Sequence, residues 1–552
     1  MSSSKLPKLR RLSQILFFGL FVLHLLNTEY RGSLKDVSGD IRLPIPYPGI
    51  FLLSDPLVAI LNALSTRALY EGLLWSLTIL IPTLFLGRFF CGWICPLGTL
   101  NHFFGNFKSE KKRGLQLIES NRYKGWQRTK YYILVVLLVG SFVGVTTLAL
   151  ADPISLLIRS LTTSVLPALN LASNSLLDSL YGSNSGLLGA MGHLLQAVLS
   201  ATILSFRQPH FRQGFFLGLI LILLLALNFR VTRFWCRALC PLGALMGALS
   251  RFSILGMEKA SENCDECNQC LLHCQGGDDP IPGAKWRKAE CHLCFNCLGD
   301  CPRNGLKFRF FPGMVSTATG PQLQRRKVMT SVAAGVALLP VLRASTGLST
   351  EHDPRLIRPP GSLDESNFLA RCIRCGECMK VCPNNAIHPA LTQAGIEGLW
   401  TPLVVPRIGY CEPSCNLCGQ VCPTGAIWKI SQAEKAWLPA SQKPGVKPIR
   451  IGTAFYDRGR CLPWAMATEC IVCEEWCPTS PKAVYLENVE VVNAQGVRRS
   501  VRQPHVDPER CVGCGACEFA CPVRDKPAVY VTSIGESRSR SNQILLRQVV
   551  KE

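Results

Sequence analysis

The sequence predicts an α-helical membrane domain of four spans plus a fifth anchor segment, with small cysteine-rich α+β modules on both sides of the bilayer. Three observations predict it. The 552-residue chain is 48% hydrophobic yet carries a formal charge of +22, with a mean hydropathy of +0.21; spans flanked by basic loops reconcile the two. Its 28 cysteines fall into short repeated groups. The stretch "RFFCGWICPLG", residues 88–98, closes an apolar run and returns as "RFWCRALCPLG", residues 233–243. Nucleic acid is excluded as the reason for the charge, because the chain has no aromatic-plus-basic recognition motif and no zinc-finger spacing with histidines.

Apolar runs of spanning length begin near Leu12, Leu73, Tyr131 and Gly214. The first follows "KLPKLRR", and no small-residue cleavage site follows "LLNTEYRGS", so it reads as a retained helix. The loop after the second run carries Lys108, Lys111, Lys112, Arg113, Arg122, Lys124, Arg128 and Lys130 against Glu110 and Glu119. Residues 29–67 and 152–212 have no such excess. The positive-inside rule then places the N-terminus, the basic loop and the segment after Asn228 in the cytoplasm, and both CxxxCP elbows with them. Residues 186–206 are nearly long enough to span, which would put the elbows on opposite sides. Their His193, Gln196, Ser200 and Thr202 favour a helix lying in the interface, and "DPISLLIRS" from Asp152 reads as another at the outer surface.

Six cysteine quartets account for all but four of the cysteines. Cys264, Cys267, Cys270 and Cys274 have the spacing C-x2-C-x2-C-x3-C, repeated at Cys291, Cys294, Cys297 and Cys301, at Cys372, Cys375, Cys378 and Cys382, and at Cys511, Cys514, Cys517 and Cys521. Cys411, Cys415, Cys418 and Cys422 open with x3, and Cys461 stands well before Cys470, Cys473 and Cys477. Three thiolates on one tight loop suit three irons of a cubane. The fourth, before a proline, ligates the partner cluster in two-cluster bacterial ferredoxins. Zinc sites instead set two C-x-x-C knuckles apart, and disulfide frameworks lack this regularity. Short apolar strand signals follow in "CPRNGL", "CPNNAI", "CPTGAI", "CPTSPKAV" and "CPVRDKPAV".

The sequence therefore predicts six [4Fe–4S] clusters in bacterial ferredoxin-like two-cluster modules. The expected ligand sets are crossed: Cys264, Cys267, Cys270 with Cys301; Cys291, Cys294, Cys297 with Cys274; Cys372, Cys375, Cys378 with Cys422; and Cys411, Cys415, Cys418 with Cys382. The last two are Cys461, Cys470, Cys473 with Cys521, and Cys511, Cys514, Cys517 with Cys477. The four remaining cysteines, Cys91, Cys95, Cys236 and Cys240, form two half-motifs. One elbow offers too few thiolates for a cubane, and two related by pseudo-symmetry offer four, so a shared cluster is expected; packing thiols or two redox-active dithiols are the alternatives. Arg88 and Arg233 hold equivalent places in the two repeats, to offset cluster charge or to meet lipid phosphate.

"QRRKVM", with Arg325 and Arg326, opens a short apolar segment at Val328 and reads as a twin-arginine export signal retained as an anchor. A cluster-loaded domain has to be exported folded, which is what such a signal serves. Expected domains are residues 1–250 (membrane, with the elbows), 251–312 (cytoplasmic two-cluster module), 313–350 (linker and anchor) and 351–552 (periplasmic four-cluster domain). No C-x-x-C-H occurs, so covalent haem is not expected; His24 stands alone in its helix, which argues against a b-type haem. No Gly-rich dinucleotide loop is present, so no NAD(P) site is expected. "VSTATG" near Ser316 lacks the length and acidic lead of a flavin-attachment motif.

Four helices with two CxxxCP elbows and a two-cluster module resemble NapH, with likeness to NosR and CcoG/RdxA. A twin-arginine segment followed by four clusters resembles the MauM/NapG ferredoxins. The whole resembles a NapH–NapG fusion, departing from the pattern at Gln275, where proline is usual. The resemblance implies an inner-membrane protein, multi-pass, with its C-terminal domain on the periplasmic side. It would relay electrons from quinol (menaquinol included), or from a cytoplasmic donor, to a periplasmic redox enzyme or cytochrome. A maturation factor that supplies electrons while such an enzyme is assembled is the alternative. Neither reading gives the chain a stand-alone catalytic site.

Overall fold

The computed structural model of the chain describes residues 5–29, 43, 49–68, 70–105, 114–182, 186–202, 204–205, 208–259, 267–277, 286–303, 305–311, 321, 323–347, 353–435, 448–492 and 496–544. Cys264, most of the basic loop (Lys108, Glu110, Lys111, Lys112, Arg113), Phe206 and the "VSTATG" stretch lie outside the described residues. The chain divides into two compact units, each discontinuous in sequence. Unit 1 comprises residues 1–26, 49–161 and 215–341; unit 2 comprises residues 27–48, 162–214 and 342–552.

Unit 1 is built on helices that turn apolar side chains outward. In Lys5–Asn27 the buried stripe is Arg10, Gln14, Phe21 and Leu25, spaced to share one face. The exposed residues include Leu12, Ile15, Leu16 and Leu23. Gly214–Ala226 likewise exposes Phe215, Phe216, Leu219, Ile222 and Leu223. A water-soluble helix does the opposite.

Two helices of the described residues are long and apolar enough to cross a membrane, Lys5–Asn27 and Pro153–Tyr181. Only the first was among the four expected spans. The other three fall in shorter helices, Leu77–Leu86, Thr129–Phe142 and Gly214–Ala226. At 1.5 Å per residue the last rises about 20 Å against a hydrocarbon core of about 30 Å. The surface helix expected from Asp152 is instead the start of Pro153–Tyr181, which passes through a π turn at Leu161–Val165. Its Thr162, Thr163, Pro167 and Asn170 break the apolar run in sequence but not the helix. The anchor helix Arg325–Gly347 is long enough, but it is not among those apolar enough to span.

Unit 1 holds a second repeated pair. Asp55 and Asp152, both fully buried, each precede a proline that opens a helix. Asp55 accepts from the amide of Leu57 at 2.8 Å and Asp152 from that of Ser155 at 2.7 Å, which satisfies donors orphaned at helix N-termini.

The cysteine quartets sit in three modules of one topology. In the inner module, part of unit 1, strand β1 (Leu255–Lys259) ahead of the first loop pairs antiparallel with β2 (Leu306–Phe310) behind the second. Unit 2 repeats the arrangement twice. A bridge joins Ser362 to Ile427 around the third and fourth quartets, with β3 (Ile387–Pro389) and β4 (Pro402–Val404) paired between the loops. β5 (Thr453–Tyr456) and β8 (Val529–Thr532) pair around the last two, and between those loops β6 (Val484–Val492) and β7 (Arg498–Val506) form a long hairpin. Each apolar stretch after a Cys-Pro enters a strand or bridge, at Leu306, Ile387, Ile427, Val484 and Val529. Thirteen-residue and longer helices are absent from these modules among the described residues; their core is largely cysteine and short aliphatic side chains, such as Ile387, Val404, Val421, Ile427, Val512 and Val529.

Residues 162–214 pack on the outer quartets within unit 2. The side chain of Gln213 donates to the carbonyl of Pro389 at 3.0 Å, and that of Asn385 to the carbonyl of His210 at 2.9 Å. Phe211 meets the ring of His388 at 5.4 Å. Glu29, from the segment after the first helix, pairs with Lys380 at 2.8 Å.

Candidate iron–sulfur centres

Four of the quartets turn tightly because a residue just ahead of the third cysteine takes a left-handed backbone, whereas Asn416 and Ile471 hold that place at φ -127° and -118° in the two variant quartets. Gly376 (φ 89°) and Gly515 (φ 86°) do so without strain; Phe295 (φ 56°) does so in the inner module. A one-turn helix then carries the third cysteine, as in Glu377–Lys380, Leu417–Gln420 and Ala516–Ala520.

The structure brings together crossed sets. One cavity of unit 2 is lined by Cys372, Cys375, Cys378 and Cys422, and another by Cys382, Cys411, Cys415 and Cys418. In both, three thiols come from one loop and the fourth from the other. In the last module Cys461 lies within electrostatic reach of Cys473, Cys470 and Cys521, and Cys514 within reach of Cys511 and Cys477. In the inner module Cys274, Cys291, Cys294 and Cys297 line one cavity, which Cys270 also reaches, while Cys267 is exposed.

Donors aim at the sulfurs. The amides of Gly305, Ala386 and Ile427 approach the fourth cysteines Cys301, Cys382 and Cys422 at 3.3, 3.3 and 3.4 Å. That of Ala454 approaches Cys511 at 3.4 Å, and the hydroxyl of Tyr456 donates to Cys473 at 3.1 Å. Burial, with the charge of neighbouring thiols, pushes Cys415 and Cys461 up to about 12 as free thiols, so these sites call for a cation that keeps them ionised. Among the described residues no group of three or more His, Cys, Asp or Glu gathers closely enough for a single ion. A cubane gives each thiolate its own iron, so its ligands need not meet at one point. The donor sets fit [4Fe–4S] clusters.

The elbows are built differently. Cys91, Cys95, Cys236 and Cys240 are all buried. Cys91 rides on the short helix Phe89–Trp93 and Cys236 on Phe234–Ala238, while Cys95 and Cys240 precede the prolines of the next helices. Equivalent amides donate to the second cysteine of each: Gly98 to Cys95 at 3.4 Å and Gly243 to Cys240 at 3.2 Å. Cys240 feels the charge of Cys236, Cys91 and Cys95, so the four converge.

The repeat arginines cross over. Arg233 donates to the carbonyl of Cys91 at 2.9 Å, while Nη2 of Arg88 lies 2.8 Å from where a Cβ on Gly243 would stand. Both are buried, which rules out lipid phosphate as their partner. Arg10, Arg88, Arg233 and Arg237 each keep two buried N–H groups with no hydrogen-bond partner, and neither ring nitrogen of the buried His292 has one. Buried donors left unsatisfied are costly; an anionic cluster would supply acceptors for them.

The inner module seats directly on the first elbow. A Cβ at Gly92 would fall 2.1 Å from the carbonyl oxygen of His292, between Cys291 and Cys294, so only glycine permits the approach. The indole of Trp93 donates to the carbonyl of Leu293 at 3.0 Å. Sequence reasoning missed what braces this contact. Glu290, one residue before Cys291, is buried against Lys130, Arg88 at 3.9 Å and the hydroxyl of Tyr131 at 3.0 Å. Lys130, counted among the charges of the basic loop, is thus buried and paired. Gln275, the departure from proline, accepts from Arg10 of the first helix at 3.1 Å. The twin arginines Arg325 and Arg326 are both exposed at the start of their helix.

Comparison with known proteins follows the same division. A family model described as a 4Fe-4S binding domain matches residues 68–116 and 213–255, the two elbow repeats. A second model of that description matches residues 369–388 and 504–524. The chain is 32% identical over 204 residues to the methylamine utilization ferredoxin-type protein MauM of Methylorubrum extorquens, covering 36% of this chain and 84% of the relative. It is 29% identical over 222 residues to the ferredoxin-type protein NapG of Escherichia coli, covering 39% and 89%. To the ferredoxin-type protein NapF of the same organism it is 31% identical over 175 residues, covering 32% and 85%. No solved structure matches.

Proposed function

The chain belongs to the MauM/NapG ferredoxin-type proteins, and from that premise we propose that it is a membrane-bound iron–sulfur protein carrying electrons from quinol, or a cytoplasmic donor, to a periplasmic redox enzyme or cytochrome. The observation that carries the reading is the crossed lining of the two outer cavities by Cys372, Cys375, Cys378, Cys422 and by Cys382, Cys411, Cys415, Cys418. When bound, a cubane at each such site supplies one-electron transfer. The protein's part is to hold the thiolates, aim amides at them and exclude water.

In this reading the N-terminal part is the NapH-like half of a fusion, with its elbows holding one further cluster on the cytoplasmic side. The family match at both repeats supports it, as do the converging thiols and the shell of arginines with spare donors. The apolar side chains that Lys5–Asn27 and Gly214–Ala226 turn outward support a multi-pass membrane placement. The composition of unit 2 supports the sidedness: residues 27–48 and 162–214, largely within the segments that lack a basic excess, fall in one unit with residues 342–552, which the twin-arginine reading sends to the outer face.

Anaerobically purified protein should contain about 24 irons from six cubanes, and about 28 with the elbow site. Membranes holding it should show reduction of its clusters by a menaquinol analogue. Cys240→Ala should block reduction of the outer clusters while leaving them assembled. Normal filling of the outer clusters in that variant would rule out the outward route through the elbows.

A further inference from the structure

Among the described residues of unit 2, Lys435 is the one fully buried lysine, at 0% exposure. It closes the short helix Gln432–Lys435. Its ammonium donates to the backbone carbonyls of Glu412 and Cys415 and acts on the thiols of Cys411, Cys415 and Cys418. The loop is tied to the helix a second time, by Gln432 donating to the carbonyl of Ser414. Nothing in the cysteine spacing requires a lysine there. It reaches the loop from beyond the last cysteine of the module.

Among the described residues of the other three outer sites, no buried cation acts without an acidic partner. Arg374 is buried beside Cys372 and donates to its carbonyl at 2.8 Å, and the buried Arg358 also acts on that thiol, but Glu397 acts on Arg374, Glu365 pairs with Arg358, and the buried Glu377 acts on Cys375. Arg450 is the weakest of the groups acting on Cys511. The set around Cys473 receives a neutral hydroxyl, from Tyr456 at 3.1 Å. Among the described residues the acidic group acting on Cys411 is Glu412, half-buried, with its carboxylate held by Asn384 at 3.1 Å, and its effect on that thiol is smaller than that of Lys435.

Reducing a cluster adds one negative charge to a site that already carries net negative charge. A cation held close in a region of low dielectric favours the reduced form, and hydrogen bonding and net charge are established levers on cluster potential. We propose that Lys435 sets the potential of the site formed by Cys411, Cys415, Cys418 and Cys382, making it the most readily reduced of the four outer clusters. That site also lies at the seam between the two outer modules, where the amide of Cys411 donates to the carbonyl of Cys514 at 2.8 Å. An electron entering unit 2 therefore rests at its middle, next to the loop of the following module. The inference rests on the reading that this cavity holds a cubane.

The test is an EPR-monitored redox titration of the full-length protein with dithionite, comparing wild type, K435M and K435R, with iron content measured on each. The signal of interest is the one that Cys415→Ser removes or alters; if Cys415→Ser changes neither iron content nor any signal, the cubane reading itself fails. With that signal assigned, it should titrate at the highest potential of the outer four. K435M should shift it to lower potential, leave the other three in place and keep the iron content, and K435R should restore it. Four signals at wild-type potentials in K435M would overturn the proposal. Should K435M lose the cluster, K435R decides: a signal kept at the wild-type potential supports the role of charge, and one displaced although the charge is retained overturns it.

Discussion

The elbows of unit 1 and the quartets of unit 2 solve one electrostatic problem in two ways. A quartet loop closes on itself, so its own amides reach the sulfurs, as Ala386 does for Cys382 and Ile427 for Cys422. An elbow has two thiols and two turns of helix, and it offers one amide, from Gly98 or Gly243. The balance is made up by side chains, Arg88 and Arg233, exchanged between the repeats, while Arg10 and Arg237 face Cys294 and Cys274 of the inner module that seats on the elbows. A site made by one loop carries its counter-dipoles in its local sequence. A site assembled from two repeats takes them from the fold.

The largest test of that contrast is removal of the elbow thiols. Replacing Cys91 and Cys236 together with Ser should remove about four irons and one low-temperature EPR component, leaving the quartet signals in place. Unchanged iron and spectra would mean the elbow thiols ligate nothing. The next effect is on stability. Glu290→Gln leaves Lys130 and Arg88 buried without their shared carboxylate, which should cost about 3–5 kcal/mol in a denaturation series in detergent. Breaking the exposed pair of Arg502 with Glu469 in unit 2 should cost less than about 1 kcal/mol. Comparable losses in the two would remove the distinction between a side-chain-braced unit and a loop-braced one.

How far these features could be read in the sequence follows the same line. The quartets, the crossed lining of the two cavities around the third and fourth of them, and the strand entries after each Cys-Pro were legible because a fixed spacing makes a fixed turn. The elbows were legible as a repeat, but their arginine shell was only half visible. Arg88 and Arg233 recur beside the cysteines, whereas Arg10 and Glu290 come from distant segments and carry no spacing signal. Lys130 was misread as a loop charge because charge counts do not register burial. The helix Pro153–Tyr181 was hidden by Thr162, Thr163, Pro167 and Asn170, which a π turn accommodates.

Two smaller effects sharpen the account of unit 2. Burial holds His388 down at about 4, despite its hydrogen bond to the carbonyl of Asn385; Arg212 and His210 of the packed segment add to the effect. A histidine depressed below its ordinary 6.5 contributes stability that is complete above that value and is lost as pH falls from about 6.5 towards about 4. Lowering the pH from 7.5 to 5.5 should thus cost unit 2 about 1 kcal/mol, and His388→Asn should remove that dependence. A slope unchanged in the variant would assign it to other groups. The smallest effect is that of Tyr456→Phe, which removes one neutral donor to Cys473. It should lower the potential of that cluster slightly, with iron content unchanged, and by less than K435M moves its own.

The discontinuity of unit 2 has a consequence in time. Residues 162–214 belong with residues 342–552, yet the ribosome makes them first. At about 5–20 residues per second, the segment carrying His210, Phe211 and Gln213 waits tens of seconds for the surface it packs on. That surface is formed only when the third and fourth quartets have closed. Through the wait, Phe211 and Gln213, which the finished unit buries against His388 and Pro389, are the part of the nascent chain in need of shelter. Iron starvation should therefore be felt first as degradation of this early-made segment, well upstream of the cysteines that lack their metal.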